Sequence, residues 1–403
     1  MNDLVQVAVE NTVYHFDKLF TYRVPENLIG LAIPGVRVMV PFGGGNRERV
    51  GMVFAFGGEE DQKLKCLVSV LDKSPVLDKN FLDLGLWMKD RYFCTLFETV
   101  KLMIPAGLQF QLKDSYVLNN DFTDFDAEAY ASLSFQIITI LRKARRAVPF
   151  EALAKTLGIT RECPEFVDLQ KRGIICRVSL AASRTKDAVS RMVRPVEDFS
   201  GKLTVRQREV YQTLIDVGEA SEKELCYFTG VSSSVIKTLA GKGAVELFEY
   251  EVYRRPESFS GHGPDLCELS LSDSQQHVFE QLCMEYKSAA DKKRCALLYG
   301  VTGSGKTSVF LKLIEYVLMS GRGIIVMVPE ISLTAQTLGL FQRCFGDQVA
   351  VFHSGLSIGE RLDEWKRVHR GEATIAIGTR SAIFAPVKNL GLIVIDEEQE
   401  HTY

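Results

Sequence analysis

The stretch Leu298-Tyr-Gly-Val-Thr-Gly-Ser-Gly-Lys-Thr307 decides the fold of the last third of the chain. It contains the pattern G-x-x-x-x-G-K-[ST], a loop that binds nucleotide phosphates. Glycines let successive backbone N–H groups curl around a phosphate, a lysine adds positive charge, and a hydroxyl holds Mg²⁺. The predicted ATP-binding residues of this loop are Gly300, Val301, Thr302, Gly303, Ser304, Gly305, Lys306 and Thr307.

The residues around the loop favour the same interpretation. Cys295–Tyr299 is a short apolar run that predicts a buried strand, and 307–318 has helical apolar spacing. A phosphate held between them would lie at a helix N-terminus, where free N–H groups favour anions. Upstream, Ser272 and Asp273 predict the start of another helix. We predict that Gln275, in its first turn, presents its amide to adenine.

An acidic pair follows a third apolar run after the loop. The runs 323–328, 374–378 and 390–395 predict buried parallel strands, and Asp396 and Glu397 follow the last one. Ligands of such sheets bind at the carboxyl ends of the strands. We predict that Asp396 holds Mg²⁺ together with Thr307, and that Glu397 polarises the water that attacks the γ-phosphate. The predicted catalytic residues are Lys306, Asp396 and Glu397.

The composition is that of a globular protein with two to four domains. The chain has 403 residues, 46% hydrophobic and 25% charged, with a formal net charge of −3. Nucleic-acid binding would therefore depend on local patches. We expect neither a signal peptide nor a membrane span, because the start lacks a basic and apolar leader and no run of 18 apolar residues occurs. Nine scattered cysteines without C-x-x-C predict reduced thiols and a cytoplasmic protein.

The N-terminal residues predict a small antiparallel barrel or sheet over 1–72, followed by a helical run over 81–104. The loop Gly43-Gly44-Gly45, beside Arg47 and Arg49, has two interpretations. It is either a binding site for a phosphate or a DNA end, or a flexible hairpin tip with solvated charges. The pattern alone favours the hairpin tip.

The middle of the chain contains a weak internal repeat. Residues 134–178 and 206–250 each predict a helix, a second helix, a glycine turn at Gly158 or Gly230, a third helix and a β-prone tail. That is the order of a winged helix. Such modules bind DNA or dock proteins, and both interpretations stay open. The basic cluster 142–146 is equally consistent with phosphate contacts and with a solvated helix face.

Several longer strings resemble one family. From Gly300 onward the chain is similar to superfamily 2 helicases, and more narrowly to the primosomal replication-restart helicases, the PriA family. The strings are 328–336, 353–357, 359–365 and 377–386 in the last third, and 20–26, 38–43 and 64–65 at the front. The front strings resemble that family's DNA 3′-end-binding domain.

The resemblance implies an ATP-dependent DNA helicase that unwinds 3′ to 5′, recognises stalled forks and helps load the replicative helicase. It implies that Phe20, Gly43 and Lys65 line a pocket for a leading-strand 3′ nucleotide, with Phe20 stacking a base. It also implies that Thr379 and Arg380 contact the single-strand backbone. The expected cofactors are ATP and Mg²⁺. The expected partners are forked, 3′-ended and single-stranded DNA, primosome and helicase-loading proteins, and single-strand binding protein, in a bacterial cytoplasm at the nucleoid.

Three features depart from the family pattern. Many members have Asp where Thr21 stands, and the usual D-E-E-H is Asp396-Glu-Glu-Gln399 here. The family also continues into a second motor lobe with zinc-binding cysteines and an arginine finger, whereas this sequence stops at Tyr403. We therefore expect an N-terminal fragment in which zinc has no site and ATP hydrolysis is slow or absent.

The sequence thus predicts a multidomain α/β protein with a RecA-like lobe, a parallel sheet with helices on both faces. The predicted domains are a β-rich 3′-end-binding domain over 1–110, a linker over 111–128, winged-helix-like modules over 129–180 and 203–256 joined by a linker over 181–202, and the lobe over 265–403. A fork-binding scaffold without motor activity, which assembles the primosome, is the alternative. A restriction-type translocase would share the motor motifs but not the front domain.

Overall fold

The computed structural model describes residues 3–59, 63–119, 132–144, 147–183, 189–196, 199–251, 253–254, 269–288, 295–301, 303–330 and 332–400. The chain divides into two compact units, residues 1–184 and 185–403. Within the described ranges, no helix is both long and apolar enough to cross a membrane.

A closed antiparallel sheet forms the start of the first unit. Its strands lie in the order β2-β1-β4-β3-β5. Closure comes from the segment before β5: Lys65 and Leu67 exchange backbone hydrogen bonds with Arg23 of β2, while β5 itself pairs with β3. One short segment thus bridges both edges, and the predicted small barrel is confirmed. The elements are β1 (Leu4–Val9), β2 (Phe20–Arg23), β3 (Arg37–Phe42), β4 (Arg47–Phe56), β5 (Ser69–Val70), α1 (Lys79–Arg91) and α2 (Leu96–Met103).

The helical run predicted over 81–104 is two helices. Thr95 begins α2 with a capping box, and the buried carboxylate of Asp17 accepts a hydrogen bond from the Leu96 N–H. These polar caps end the run that apolar spacing suggested. Trp87 of α1 and Phe93, between the two helices, are 50% and 95% exposed.

The internal repeat appears as two copies of one β-α-β-α-α-β module. Each copy has a three-stranded antiparallel sheet with its first strand in the centre, in the order β7-β6-β8 and β10-β9-β11. Copy 1 comprises β6 (Phe110–Leu118), α3 (Ser132–Lys143), β7 (Val148–Pro149), α4 (Phe150–Leu157), α5 (Pro164–Lys171) and β8 (Ile175–Ser183). Copy 2 comprises β9 (Val189–Pro195), α6 (Val205–Val217), β10 (Ala220–Ser221), α7 (Glu222–Thr229), α8 (Ser233–Gly241) and β11 (Val245–Glu251).

The glycine turns are confirmed, but both predicted linkers are wrong in part. Gly158 and Gly230 end their helices in the left-handed conformation that favours glycine. Residues 111–118 of the first predicted linker lie in β6, and 189–195 of the second form β9. Both stretches are polar, yet each is the central strand of its sheet. The assignment of the copies to the winged-helix class stays a prediction.

The last part of the second unit contains a four-stranded parallel sheet in the order β13-β14-β12-β15. The three predicted strands are present, and β13 is an addition. Strands β12 and β14 are buried as predicted, but β15 is not: Leu390, Ile393 and Ile395 are 43%, 42% and 50% exposed. The strand predicted over 295–299 is wrong: these residues form no strand, and Leu297 and Tyr299 are 73% and 91% exposed. The elements are α9 (Asp273–Ser288), α10 (Lys306–Met319), β12 (Gly323–Met327), α11 (Ala335–Phe345), β13 (Val349–Phe352), α12 (Ile358–Arg370), β14 (Ile375–Gly378) and β15 (Leu390–Ile395).

A buried ion pair on α12 covers the outer edge of β13. The Glu364 carboxylate accepts a hydrogen bond from the Val351 N–H at 2.8 Å, and the Arg367 guanidinium donates to the Val349 carbonyl at 3.2 Å. Glu364 and Arg367 also pair with each other at 2.8 Å, and both side chains are at least 94% buried. The pair therefore satisfies backbone groups that an uncovered edge strand would leave open.

We predict that Glu364→Ala destabilises the parallel-sheet domain by about 3–5 kcal/mol, because it leaves the Arg367 charge and the Val351 N–H buried without their partner. The measurement is denaturant unfolding followed by the fluorescence of Trp365 in a Trp87→Phe background, since these are the two tryptophans of the chain. The control is Glu315→Ala, which removes a partly exposed pair with Lys312 and should cost about 0–1 kcal/mol. Equal costs for the two variants would contradict the role of the buried pair.

Candidate nucleotide and DNA-end sites

The phosphate loop runs directly into a helix, as predicted. Gly303 and Gly305 both have φ of +80°, a conformation in which a side chain would be strained. Gly305 is the N-cap of α10, which begins at Lys306 without a side-chain cap. The first N–H groups of the helix are therefore available to an anion. Thr302, also predicted to bind ATP, lies outside the described residues.

The predicted phosphate-binding lysine is folded onto its own loop. Lys306 Nζ donates to the carbonyl oxygens of Gly300 at 2.7 Å and Val301 at 3.3 Å. These are the two loop residues that open the motif. Thr307 follows in the first turn of α10 and is exposed. A phosphate entering the loop would exchange these carbonyl contacts of Lys306 for charge-assisted ones.

Gln275 contacts the phosphate loop. Its Nε2 donates to the Ser304 carbonyl at 2.9 Å, and its Oε1 accepts from the Ser272 N–H at 2.9 Å, as part of the cap of α9. A Cβ at Gly305 would lie 2.3 Å from Gln275 Nε2, so the glycine allows this close approach. The structure thus brings Gln275 to the loop, while its contact with adenine stays a prediction.

The acidic pair lies at the carboxyl end of β15. The Asp396 N–H donates to the Met327 carbonyl at the end of β12, at 2.9 Å. Burial and the neighbouring Glu397 raise the pKa of Asp396, while the Glu397 N–H and the nearby Lys306 ammonium act to lower it. Glu397 has φ of +49°, an uncommon conformation for a non-glycine residue and one found at functional sites. The charge of Lys306, at the end of the phosphate loop, thus acts on Asp396 at the strand tip.

This donor set fits a magnesium ion. Mg²⁺ prefers oxygen ligands, here the Thr307 hydroxyl and the Asp396 carboxylate, with the remaining positions taken by water and phosphate. Burial is the largest cause of the raised pKa of Asp396, and the charge of Glu397 adds to it. A divalent cation bound there would favour the ionised carboxylate.

The other predicted residues of the sheet also lie at its carboxyl edge. The Thr379 N–H donates to the Phe352 carbonyl at 3.0 Å, so Thr379 is buried and joins β14 to β13. Arg380 is exposed and lies 3.7 Å from the Glu330 carboxylate.

His353, which follows β13, was not predicted as a site residue. Burial lowers its pKa, and Arg361 adds to the effect. The string 353–357 could have indicated it.

The three residues predicted for a 3′ nucleotide come together at one end of the barrel. Phe20 packs edge-on against Phe42, the last residue of β3, with ring centroids 5.0 Å apart. Gly43 follows, and its carbonyl accepts a hydrogen bond from Lys65 Nζ at 2.6 Å. Lys18 Nζ lies 5.8 Å from the centre of the Phe20 ring. An aromatic ring with one ammonium group near its face, beside a loop that holds a second ammonium group, suits a nucleotide, which has a flat base and a phosphate.

A hydrogen bond from Tyr22 connects the two strands that carry Phe20 and Phe42. The Tyr22 hydroxyl donates to the Pro41 carbonyl at 3.2 Å and ties β2 to β3; burial raises the pKa of Tyr22 to about 12, against the effect of Arg49. Gly43 has φ of +71° with open space where a side chain would stand. Thr21 lies against Gly58, where a Cβ would come within 2.4 Å of the Thr21 hydroxyl. Sequence reasoning did not predict the role of Tyr22.

Two protein families match the two ends of the chain. The family described as a 3′DNA-binding domain of PriA matches residues 6–105. The family described as the res subunit of type III restriction enzymes matches residues 268–402, the range that contains the phosphate loop and the parallel sheet.

Two longer relatives match across both ends. The replication restart protein PriA of Bacillus subtilis is 34% identical over the full length of this chain and 49% of its own length. PriA of Synechocystis is 31% identical over 96% of the chain and 46% of the relative. The chain thus spans about half the length of these two curated relatives. A third, PriA of Treponema pallidum, is 49% identical over 33% of the chain and 20% of the relative.

Fold and comparisons together define a multidomain protein in which a DNA 3′-end-binding domain precedes an α/β domain with a nucleotide-phosphate loop. The relatives that match this arrangement from one end of the chain to the other are replication restart proteins. The chain is therefore similar to PriA proteins from one end to the other.

We predict that Asp396→Asn raises the melting temperature of the metal-free protein at pH 7 by about 1–3 °C. The folded-state pKa of Asp396 lies above its ordinary value, so its ionised form opposes folding at pH 7 and this cost disappears as the pH falls through the raised pKa. The gain should therefore shrink on acidification. Glu398→Gln, an exposed neighbour, is the control, and a lower melting temperature for Asp396→Asn at pH 7 would contradict this account.

Proposed function

We propose that the chain acts in an ATP-dependent 3′-to-5′ DNA helicase of replication restart, where it recognises a fork by its leading-strand 3′ end and binds the ATP that drives unwinding. The observation that carries the proposal is the presence in one chain of both the Phe20–Gly43–Lys65 cluster and the phosphate loop with its acidic strand tip. A pocket for a DNA end and a nucleotide site in the same chain suit an enzyme that recognises a DNA end and uses ATP to move along the strand.

The nucleotide site assigns a role to each side chain. The N–H groups of residues 303–307 and the Lys306 ammonium hold the β- and γ-phosphates. Thr307 and Asp396 hold Mg²⁺, which when bound compensates phosphate charge. Glu397 orients and polarises the attacking water. Gln275, hydrogen-bonded to Ser304, positions the loop and faces the base.

The DNA-end pocket uses the barrel. Phe20 stacks on the last base, and Lys65 and Gly43 form a polar floor beside it. A free 3′ hydroxyl fits this floor, whereas a 3′ phosphate adds bulk and charge next to the Gly43 carbonyl. The pocket would therefore distinguish a leading strand that polymerase can extend from a blocked one.

The carboxyl edge of the sheet serves the translocating strand. Arg380 would exchange its long 3.7 Å contact with Glu330 for a DNA phosphate. Thr379 is buried, so its role would be to hold Arg380 at this edge through its backbone bond to Phe352. The family resemblance further supports primosome proteins, helicase-loading proteins and single-strand binding protein as partners, in the bacterial cytoplasm at the nucleoid.

One observation favours the alternative, a fork-binding scaffold for primosome assembly without motor activity. Lys306 is held by two carbonyls of its own loop, so the loop is closed around its lysine. A scaffold would keep this closed state, whereas a motor must open it for ATP. Nucleotide binding therefore separates the two functions.

We predict that the chain binds Mg²⁺-ATP and that Lys306→Ala lowers the affinity about 10–100-fold, because a charge-assisted contact with phosphate is lost. Binding is measured by the fluorescence of a labelled ATP analogue at constant ionic strength. Lys312→Ala, on the same helix α10, is the matched control and should bind as the parent does. Equal affinities for the parent and Lys306→Ala would favour the scaffold.

We predict that the chain binds a fork with a free leading-strand 3′ hydroxyl more tightly than the same fork with a 3′ phosphate. Phe20→Ala should weaken binding to the free end by about 1–3 kcal/mol and remove the difference between the two forks, because a base then has no ring to stack on. Phe16→Ala, which removes a 75% exposed phenylalanine outside the cluster, should leave the difference intact. Equal affinity of the parent for both forks would refute the pocket.

A further inference from the structure

Copy 1 of the repeated module carries a cluster of two arginines on one carboxylate. Asp114, on the central strand β6, accepts hydrogen bonds from Arg161, in the turn between α4 and α5, and from Arg177 on β8, whose Nε lies at 2.8 Å. The side chains of Arg161 and Arg177 are 56% and 59% exposed, whereas that of Asp114 is 13% exposed. One carboxylate therefore orients two guanidinium groups at the surface.

The cluster has a net charge of +1 at neutral pH. Burial acts to raise the pKa of Asp114, but the hydrogen bonds from Arg177 and Arg161 outweigh it and hold the pKa below its ordinary value. Asp114 thus stays ionised and compensates one of the two positive charges. Each guanidinium has five N–H donors, more than the carboxylate uses, and their solvent-facing sides suit the paired oxygens of a phosphate.

Strand pairing shows which residues of copy 2 are equivalent. In each copy the residue before the second helix pairs with the central strand: Pro149 opposite Ser115 in copy 1, and Ser221 opposite Met192 in copy 2. One residue earlier on the central strand, Asp114 of copy 1 is therefore equivalent to Arg191 of copy 2. The same argument, with the helix-ending glycines Gly158 and Gly230 as the second reference, makes Phe150, Arg161 and Arg177 equivalent to Glu222, Ser233 and Leu247.

The charges at these positions are inverted in copy 2. Arg191 stands where copy 1 has its carboxylate, and it pairs with Glu222 at 3.9 Å. Ser233, in place of an arginine, donates its hydroxyl to the same Glu222. The cluster of copy 2 is therefore a neutral pair, and neither of its two remaining positions carries a cation.

The composition of the two copies differs in the same direction. With the central strands included, the elements of copy 1 (110–118 and 132–183) contain ten Lys or Arg against five Asp or Glu. Those of copy 2 (189–195 and 205–251) contain seven against eight. The same topology thus has a basic excess in the first copy and is nearly neutral in the second, and the basic copy suits a polyanion better.

We propose that Arg161 and Arg177, oriented by Asp114, bind one backbone phosphate of duplex DNA, and that copy 2 makes no equivalent contact. This goes beyond the proposed function, because it uses neither the DNA-end pocket nor the nucleotide site. Two guanidinium groups on one phosphate give a contact that fixes the position of the duplex without reading its sequence.

The test is the affinity of the chain for a blunt duplex with phosphates on both 3′ ends, measured without ATP over a range of salt concentrations. We expect Arg161→Gln/Arg177→Gln to lower the affinity about tenfold at low salt and to reduce the slope of log affinity against log salt by about 0.9, the value for one phosphate. The matched control, Arg191→Gln/Arg194→Gln in copy 2, removes the same charge from arginines that pair with glutamates and should change neither quantity.

Two further variants separate DNA binding from folding. Arg161→Lys/Arg177→Lys keeps the charge and should keep the salt slope while losing part of the affinity, because an ammonium cannot make the paired contact. Arg177→Gln alone, with the melting temperature of each variant measured in parallel, replaces the double variant if that one unfolds. Unchanged affinity and slope in folded variants of copy 1, or an equal loss in copy 2, would overturn the proposal. A failed DNA-end or ATP experiment would leave it intact, since the blocked duplex uses neither site.

Discussion

The parallel pairing of β12, β14 and β15 is the constraint on which the nucleotide site depends. Parallel strands end at the same edge of the sheet, so the pairing of their backbones brings residues that are far apart in the chain to that edge. Asp396 is held at that edge by its N–H bond to the Met327 carbonyl, and Thr379 by its bond to Phe352. The register of β12 and β15 thus places Asp396 beside the end of β12. The buried Glu364–Arg367 pair supports the same sheet, because it hydrogen-bonds backbone groups of the edge strand β13.

The barrel also brings residues that are distant in the sequence together, but it does so by closure of the sheet. Its strands are antiparallel, and Phe20 and Phe42 lie on β2 and β3, which are not neighbours in the sheet. They meet because the sheet closes on itself through residues 65–67. The same segment supplies Lys65, so the closure that removes the open edges also places the ammonium beside Gly43. The backbone pairing that closes the barrel therefore also assembles the site.

The sequence predicted the elements whose signal is local. The glycine turn into α10 and the buried strands β12 and β14 follow from residue type and spacing, and they are confirmed. Strand β15 is confirmed as a strand but not as a buried one. The strand over 295–299 was wrong because an apolar run predicts burial only where a neighbouring strand is present, and in the described part of the chain β15 pairs with β12 alone. Strands β6 and β9 were not predicted, because their many polar residues do not indicate a strand. These segments form strands because they pair with strands that are distant in the sequence. The grouping of Phe20, Gly43 and Lys65 came from family resemblance, because no local pattern relates residues on different strands.

The two copies of the repeated module show how far fold and function separate within one chain. Their strand order, helix lengths and glycine turns agree, because these depend on buried positions such as Leu153 and Leu225, and both of these are at most 1% exposed. The charged positions do not follow that constraint: Asp114 and Arg191 occupy equivalent positions on the central strands with opposite charge. Fold alone would give both copies one role. The sign of the charge at a structurally defined position, which neither composition nor topology shows by itself, distinguishes a copy suited to a polyanion from one that is not.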